Sequence, residues 1–185
     1  MWWLKKPSSS EPLAVSITGV KLGDRLLIVG LSDPGLVAPL ALKVGLTGRA
    51  AGIDADAAVV ARSAAAIERE GALVEASQSA WDALPFEDAS FDLALVRSAL
   101  IALSPGARRD LLQQVYRVVR PGGRVLVVDG TAATGLRGLF GRRGIDASYA
   151  ASGGAKTALE ALPFSGVRVL AEHGGLVFTE GVKRA

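Results

Sequence analysis

The chain has 185 residues, half of them apolar, with 21 basic and 18 acidic side chains and a formal net charge of +3. This length suits one well-buried core and is too short for two ordinary domains, and the small net charge demands no polyanionic partner. The lack of cysteine and the single histidine, His173, exclude disulfides, thiol nucleophiles and the His/Cys clusters of zinc or copper sites.

Residues 1–20 are predicted to form an N-terminal tail, followed by a single domain over residues 21–185. The tail begins with paired tryptophans beside paired lysines, which suits a membrane interface: Trp2, Trp3, Lys5 and Lys6. It is too short to span a bilayer, and no apolar signal-peptide core follows. We expect a cytoplasmic protein whose tryptophans cover an edge of the domain or fray, with weak membrane-interface contact as the alternative.

From Leu26 onward, short apolar runs alternate with longer segments of helical period, which predicts βαβ units and a mainly parallel sheet. The strands lack polar alternation, so helices are expected on both faces. The predicted strands are 25–29, 50–54, 72–76, 91–96 and 124–129. Helices are predicted at about 35–44 and 57–70, and a third is expected to be capped by Ser104 and to begin at Pro105.

The last third of the chain has a different pattern. The Gly/Arg-rich segment 135–144 is predicted to be a solvated loop or an active-site lid, and it is only a weak signal for nucleic-acid binding. A helix is expected near 152–162, and strands at 167–172 and 176–180 flank a glycine-rich turn, which predicts an antiparallel hairpin. The fold predicted for the domain is α/β and doubly wound, with a Rossmann-like, seven-stranded, mainly parallel sheet.

A turn of small residues follows the first strand and is typical of nucleotide sites. It runs Gly30-Leu31-Ser32-Asp33-Pro34-Gly35, and Asp54 ends the next strand. Ligands of open α/β sheets bind beyond the carboxyl ends of the strands, where Arg97 also falls. Arg97 could bind a carboxylate or phosphate, or pair with an acid at this edge.

Three segments resemble the class I S-adenosylmethionine-dependent methyltransferases, particularly the small-molecule type related to quinone-biosynthesis enzymes. They read LPFEDASFDLALV at 84–96, ARRDLL at 107–112 and RPGGRVLVVD at 120–129. The resemblance covers about residues 20–130 continuously. It implies a Rossmann-like fold, S-adenosylmethionine as cofactor, a small-molecule methyl acceptor and no metal.

The resemblance also implies cofactor contacts, with two departures from the family's pattern. The acid expected two residues before the first loop glycine is Ile28, and the second loop glycine is Ser32. Asp33 could supply a displaced carboxylate, Asp54 matches the ribose-binding acid, and adenine would lie near Trp81. The cofactor-binding residues expected from this comparison are Gly30, Asp33, Gly35, Asp54, Ala55, Ala80, Trp81 and Arg97, and no catalytic residue is assigned.

The first hypothesis is therefore a divergent methyltransferase that acts on an unidentified small molecule. The alternative is a catalytically inactive, methyltransferase-like binding or regulatory domain, which Ile28, Ser32 and Ala80 favour. A nicotinamide-dependent oxidoreductase is the third hypothesis, because Gly30, Ser32, Gly35 and Asp54 approximate a dinucleotide fingerprint.

Overall fold

A computed structural model describes residues 13–130 and 147–185, which form one sheet in the order β3-β2-β1-β4-β5-β7-β6. The strands are β1 (Arg25–Val29), β2 (Arg49–Asp54), β3 (Glu75–Gln78), β4 (Phe91–Arg97), β5 (Val119–Gly130), β6 (Phe164–His173) and β7 (Leu176–Lys183). The helices are α1 (Leu13–Thr18), α2 (Pro34–Val44), α3 (Ala57–Arg69), α4 (Pro105–Val118), α5 (Ala147–Ala151) and α6 (Gly154–Glu160), with a 3-10 turn at Leu100–Ala102.

Strands β1 to β5 are parallel, and β7 inserts antiparallel between β5 and β6. The predicted α/β fold, with seven strands and a C-terminal antiparallel hairpin, is confirmed. Gly174 and Gly175 form the hairpin turn with φ values of 58° and 75°, as a type I′ turn requires. His173 is therefore the last residue of β6, paired with Leu176, rather than a turn residue.

Apolar layers cover both faces of the sheet, which explains why its parallel strands lack polar alternation. Leu27 and Val29 of β1 face the layer that contains α4 and α6. Leu26 and Ile28, which alternate with them, face the layer that contains α1 and α2. The carboxyl ends of β1 to β5 therefore emerge together from a rigid, doubly covered sheet. We call this end of the parallel strands the carboxyl-terminal edge of the sheet, and the opposite end its amino-terminal edge.

Helix α1 lies within the segment predicted as a tail. Val15 and Val20 are each only 1% exposed and join the core layer on the α2 side. The hydroxyl of Thr18 donates to the carbonyl of Val15 at 2.7 Å, so this buried polar group is satisfied. Trp2, Trp3, Lys5 and Lys6 lie outside the described residues, as does segment 135–144.

Several other element boundaries differ from the sequence prediction. β3 begins at Glu75 rather than at residue 72, and β5 begins at Val119, directly after α4. The helix predicted near 152–162 is observed as the shorter α6, and a separate short helix, α5, precedes it across Gly153, whose φ is +95°. Within the described ranges, no helix is both long and apolar enough to cross a membrane.

Candidate cofactor and acceptor site

Asp54, at the end of β2, connects the loops that follow β1 and β3. Its Oδ2 accepts a hydrogen bond from the backbone N–H of Leu31 at 2.9 Å, and its Oδ1 accepts one from Asp56 at 3.1 Å. Its backbone carbonyl accepts from the N–H of Ser79 at 3.0 Å. The carboxylate is buried, and it fixes the β1–α2 loop against the edge of the sheet. Asp56 is the N-cap of α3, so Asp54 is not needed for that role.

Gly30 is required where the ends of β1 and β4 approach each other. Its φ is +93°, and a Cβ placed on it would lie 2.3 Å from the backbone carbonyl oxygen of Arg97. Any side chain here would clash with backbone and adopt a strained conformation. The retained glycine therefore has a direct steric reason in this chain.

Arg97 and Asp33 form an ion pair between the end of β4 and the β1–α2 loop. Nη2 and Nε of Arg97 lie 3.1 and 3.2 Å from Oδ2 of Asp33. Nη1 of Arg97 also donates to the carbonyl of Val128 and to the hydroxyl of Ser98. The Arg97 side chain is 12% exposed and that of Asp33 is 35% exposed, so the pair is partly accessible. Of the two interpretations left open for Arg97, the structure shows the ion pair.

The other expected cofactor residues lie around the same edge. Gly35 is exposed in the first turn of α2, and Ala55 is exposed beyond β2. Ala80 is exposed, and its carbonyl accepts from the hydroxyl of Ser79. Trp81 is half-buried and packs against the core layer on the α4 side. The structure thus brings all eight predicted positions to the carboxyl-terminal edge, with Trp81 in packing contact.

The two departures from the family's pattern have different surroundings. Ile28 is fully buried in the apolar layer beside α2, where an acid would meet only hydrocarbon. Ser32 is exposed in the loop. Between them in the chain, Leu31 is buried and its carbonyl accepts from the Ser63 hydroxyl at 2.6 Å. The loop is therefore well anchored despite its altered sequence.

A second polar cluster at this edge, which the sequence did not predict, is centred on Asp129 near the end of β5. The hydroxyl of Tyr149, on α5, donates to Oδ2 of Asp129 at 2.7 Å. The guanidinium of Arg108, on α4, lies 4.4 Å from the centroid of the Tyr149 ring. Asp129 ends a run of buried apolar strand residues, which is the same sequence pattern that identified Asp54. Tyr149 and Arg108 are distant from Asp129 in the sequence, and no motif predicts that they lie beside it.

Burial dominates the electrostatics of this cluster. Desolvation raises the pKa of Asp129, although the hydrogen bond from Tyr149 and the charges of Arg97 and Arg108 act in the opposite direction. Burial and the neighbouring Asp129 also raise the pKa of Tyr149, so Tyr149 carries its proton at neutral pH. The result is a neutral hydroxyl donor next to a carboxylate of increased basicity.

A cavity of about 370 Å³ lies beside this cluster, between α4 and the α5–α6 segment. Its walls are apolar along the helices and carry polar groups at Tyr149 and at the arginines of α4. The residues that define it include Arg108, Arg109, Leu112, Tyr149, Thr157 and Leu162. This volume falls within the range of small-molecule sites.

Residues 27–123, slightly more than half of the chain, match a family described as a methyltransferase domain. The chain therefore belongs to this family, and the resemblance to class I S-adenosylmethionine-dependent methyltransferases is confirmed. Family membership favours this interpretation over a nicotinamide-dependent oxidoreductase.

Individual relatives agree with the family assignment. A ubiquinone/menaquinone biosynthesis C-methyltransferase of Pseudomonas savastanoi pv. phaseolicola is 30% identical over 118 residues, which cover 63% of this chain and 45% of that protein. The chloroplastic 2-phytyl-1,4-beta-naphthoquinone methyltransferase of Arabidopsis thaliana is 31% identical, with 63% and 46% covered. The chain thus matches less than half the length of these relatives.

Solved structures show the same fold at lower sequence identity. A SAM-dependent methyltransferase from Aquifex aeolicus superposes with a TM-score of 0.70 and 22% identity, covering 92% of this chain and 87% of that one. The similarity therefore extends beyond the matched family region into the C-terminal hairpin.

Proposed function

We propose that this protein is a divergent S-adenosylmethionine-dependent methyltransferase that acts on a small molecule. The observation that carries the proposal is the meeting of the Gly30 turn, the Asp54 carboxylate and the Asp33–Arg97 ion pair at one edge of a methyltransferase sheet. We also propose that the protein works in the cytoplasm. Weak membrane-interface contact through Trp2, Trp3, Lys5 and Lys6 stays a prediction.

The residues at this edge fit the polar groups of the cofactor. Among the described residues, each oxygen of the Asp54 carboxylate accepts one backbone N–H, and a carboxylate oxygen has two lone pairs, so capacity remains for a ribose hydroxyl. Arg97 and Asp33 present one positive and one negative group side by side. These charges are complementary to the carboxylate and ammonium of the cofactor's methionine end.

This arrangement gives a specific substitute for the acid that is missing at Ile28. We propose that Arg97 exchanges its bond to Asp33 for one to the methionine carboxylate, and that Asp33 binds the ammonium. Gly30, Gly35 and Ala55 leave the loop backbones accessible, while Ala80 and Trp81 lie on the adenine side. The cofactor supplies an electrophilic methyl group, and transfer of that group depends mainly on orientation of the two reactants.

The names of the relatives describe methylation of quinone precursors in those proteins. For this chain we propose the broader class, a small molecule. The cavity lies beside Tyr149, next to the end of β5. In the sheet order β5 and β1 flank β4 on opposite sides, so the cavity and Asp33 lie on opposite sides of Arg97. A methyl acceptor bound there would lie across the sheet edge from the cofactor loop.

Isothermal titration with two related ligands tests the cofactor site. S-adenosylhomocysteine carries the amino-acid end, whereas 5′-methylthioadenosine lacks it and keeps the ribose and adenine. We expect both to bind, and we expect Arg97→Gln to weaken S-adenosylhomocysteine by about 10-fold or more while leaving 5′-methylthioadenosine unchanged, because only one ligand loses a charge-assisted hydrogen bond. Asp54→Asn should weaken both ligands.

The matched control is Arg69→Gln, which removes an arginine from the last turn of α3, at the other end of that helix from Asp56. Its affinities should equal those of the parent protein. If neither ligand binds at millimolar concentration, the methyltransferase proposal is wrong and the inactive-domain alternative takes its place. If Arg97→Gln weakens both ligands equally, the assignment of Arg97 to the methionine end is wrong.

A further inference from the structure

Asp129 is a charged group whose surroundings leave it incompletely paired. Its Oδ2 accepts one hydrogen bond, from Tyr149. In the part of the chain that the structure describes, its Oδ1 is the one buried side-chain polar atom without a hydrogen-bond partner. The residue is 7% exposed, so it has little contact with bulk solvent. An unpaired buried carboxylate oxygen is costly, and such groups occur where chemistry requires them.

The position of Asp129 places it between the proposed cofactor loop and the cavity. Val128, the preceding residue, pairs with Arg97 of β4, whose Nη1 donates to the Val128 carbonyl. On its other side, Asp129 bonds Tyr149, which borders the cavity together with Arg108. A chain of polar groups therefore runs from the Asp33–Arg97 pair through Asp129 to the cavity wall.

We propose that Asp129 and Tyr149 form a proton-accepting pair for a hydroxyl-bearing, aromatic methyl acceptor bound in this cavity. The inference rests on the proposed methyltransferase function. Tyr149, which borders the cavity, would touch the acceptor, and Asp129 would act through it. The acceptor is a phenol, because the cavity has apolar helical walls and is bordered by Tyr149, whose hydroxyl donates to Asp129.

The proton transfer balances with methyl transfer. A bond forms between the acceptor oxygen and the methyl carbon as the bond from that carbon to the sulfonium sulfur breaks, and sulfur keeps the electron pair. The proton of the acceptor hydroxyl passes to the oxygen of Tyr149, while the Tyr149 proton passes to Oδ2 of Asp129. The products are the methyl ether, the neutral thioether and a protonated Asp129.

The groups that face Asp129 agree with this role. Among the described residues, Arg97 from β4, Arg108 from α4 and Tyr149 from α5 are the charged or titratable groups that interact with it, and β7 opposes it with Val177. Burial raises the pKa of Asp129, which makes its carboxylate a stronger base than an exposed aspartate. Tyr149 keeps its proton at neutral pH and can therefore pass it on.

The test uses 2-naphthol, a fluorescent phenol that becomes a strong acid in its excited state, and it requires no cofactor. Binding is measured by fluorescence anisotropy, and proton transfer is measured by the ratio of naphtholate to naphthol emission. We expect 2-naphthol to bind and the bound probe to emit mainly as naphtholate at neutral pH. The naphtholate emission should disappear as the pH falls and the Asp129 carboxylate is protonated.

Two conservative variants separate the steps, with circular dichroism used to confirm that each is folded. Asp129→Asn removes the final proton acceptor, and Tyr149→Phe keeps the ring and its contact with Arg108 but removes the hydroxyl. Each should bind 2-naphthol and lose at least 10-fold in the emission ratio. Asp110→Asn, an exposed acid on α4 outside the cavity lining, should behave as the parent protein.

Several results would overturn the proposal. These are the absence of 2-naphthol binding, an unchanged emission ratio in Asp129→Asn, or naphtholate emission retained in Tyr149→Phe. The titration with S-adenosylhomocysteine is a separate experiment, so the two proposals can fail independently. If S-adenosylhomocysteine does not bind but 2-naphthol behaves as expected, the methyltransferase proposal is wrong. If S-adenosylhomocysteine binds but 2-naphthol does not behave as expected, only the proposal of a proton-accepting pair is wrong.

Discussion

An aspartate at the amino-terminal edge of the sheet and one at its carboxyl-terminal edge differ in how completely their carboxylates are paired. Asp92, near the start of β4, accepts hydrogen bonds from the Arg25 backbone N–H at 2.7 Å and from Nε of Arg120 at 2.5 Å, one on each oxygen. Asp129, near the end of the adjacent strand β5, has one bonded oxygen and one unpaired oxygen. Both oxygens of Asp92 are therefore paired, whereas only one oxygen of Asp129 is.

The consequence is visible in the direction of the pKa shifts. Burial alone would raise the pKa of Asp92, but hydrogen bonds from Arg120 and Arg25 lower it to about 2. Burial raises the pKa of Asp129, and its fewer partners do not reverse the effect. A fully paired carboxylate stabilises the fold, whereas a half-paired one retains the capacity to bind a proton or a ligand donor.

The largest expected effect concerns the backbone of the carboxyl-terminal edge. Gly30→Ala places a Cβ 2.3 Å from the Arg97 carbonyl oxygen and imposes a positive φ on alanine. We expect a loss of about 3 kcal/mol or more in the free energy of unfolding, measured by urea denaturation. The clash is between the Cβ atom and a backbone oxygen, so no side-chain rotation relieves it.

Gly106→Ala is the matched control for this prediction. Gly106 lies in the first turn of α4, and a Cβ there meets nothing within 4 Å. Alanine should raise the free energy of unfolding by up to about 1 kcal/mol, because it restricts the unfolded chain and favours helix. Equal stabilities of the two variants would show that the edge is not fixed by the approach of β1 to β4.

Much of this architecture could be predicted from the sequence. The apolar runs around Leu26 and Phe91 and the cap at Ser104 have local causes, and the hydroxyl of Ser104 does accept from the N–H of Ala107. The parallel order then places Gly30 and Asp54 together without further information. The fold and the cofactor loop were therefore accessible because strand ends and turns are local features.

The rest depended on contacts between residues far apart in the chain. Asp33 and Arg97 are 64 positions apart, and Asp129 and Tyr149 are 20 apart across residues that give no periodic signal. Helix α1 was assigned to the tail because six residues after Pro12 are too few for a clear helical period. Side-chain pairing at an edge is set by tertiary packing, and composition and spacing do not encode it.

A moderate effect is expected at the amino-terminal edge. Asp92→Asn weakens the bonds to Arg25 and Arg120, and we expect a loss of about 1 kcal/mol at neutral pH, a figure reduced because the arginines are 45% exposed. The folded pKa, about 2, lies below the ordinary value of 3.8, so the stabilisation is complete above pH 3.8 and is lost as the pH falls towards 2.

Urea denaturation at a series of pH values, at constant ionic strength, measures this dependence. The stability difference between the parent protein and Asp92→Asn should be constant near neutral pH and should close between the two pKa values. A difference that is independent of pH would mean that Asp92 acts through packing rather than through its charge, and the contrast between the edges would then lose its electrostatic basis.

The smallest effect has the opposite sign and concerns Asp129. Because its folded pKa is raised, the ionised form is disfavoured in the folded protein, and the penalty is complete above that folded pKa. As the pH falls through the folded pKa towards the ordinary value of 3.8, the carboxyl binds a proton and the penalty disappears. Asp129→Asn, which is neutral at every pH, should therefore be more stable than the parent protein near neutral pH, by up to about 1 kcal/mol.

The same denaturation series decides this prediction, with Asp110→Asn as the exposed control that should change stability by less than about 0.5 kcal/mol. The advantage of Asp129→Asn should shrink with decreasing pH, while the deficit of Asp92→Asn persists to lower pH. A variant that gains stability at neutral pH but loses proton transfer from 2-naphthol would show that the unpaired oxygen is retained at a cost in stability. If Asp129→Asn instead destabilises the protein at neutral pH, the carboxylate is stabilised by its surroundings, and both edges follow the same rule.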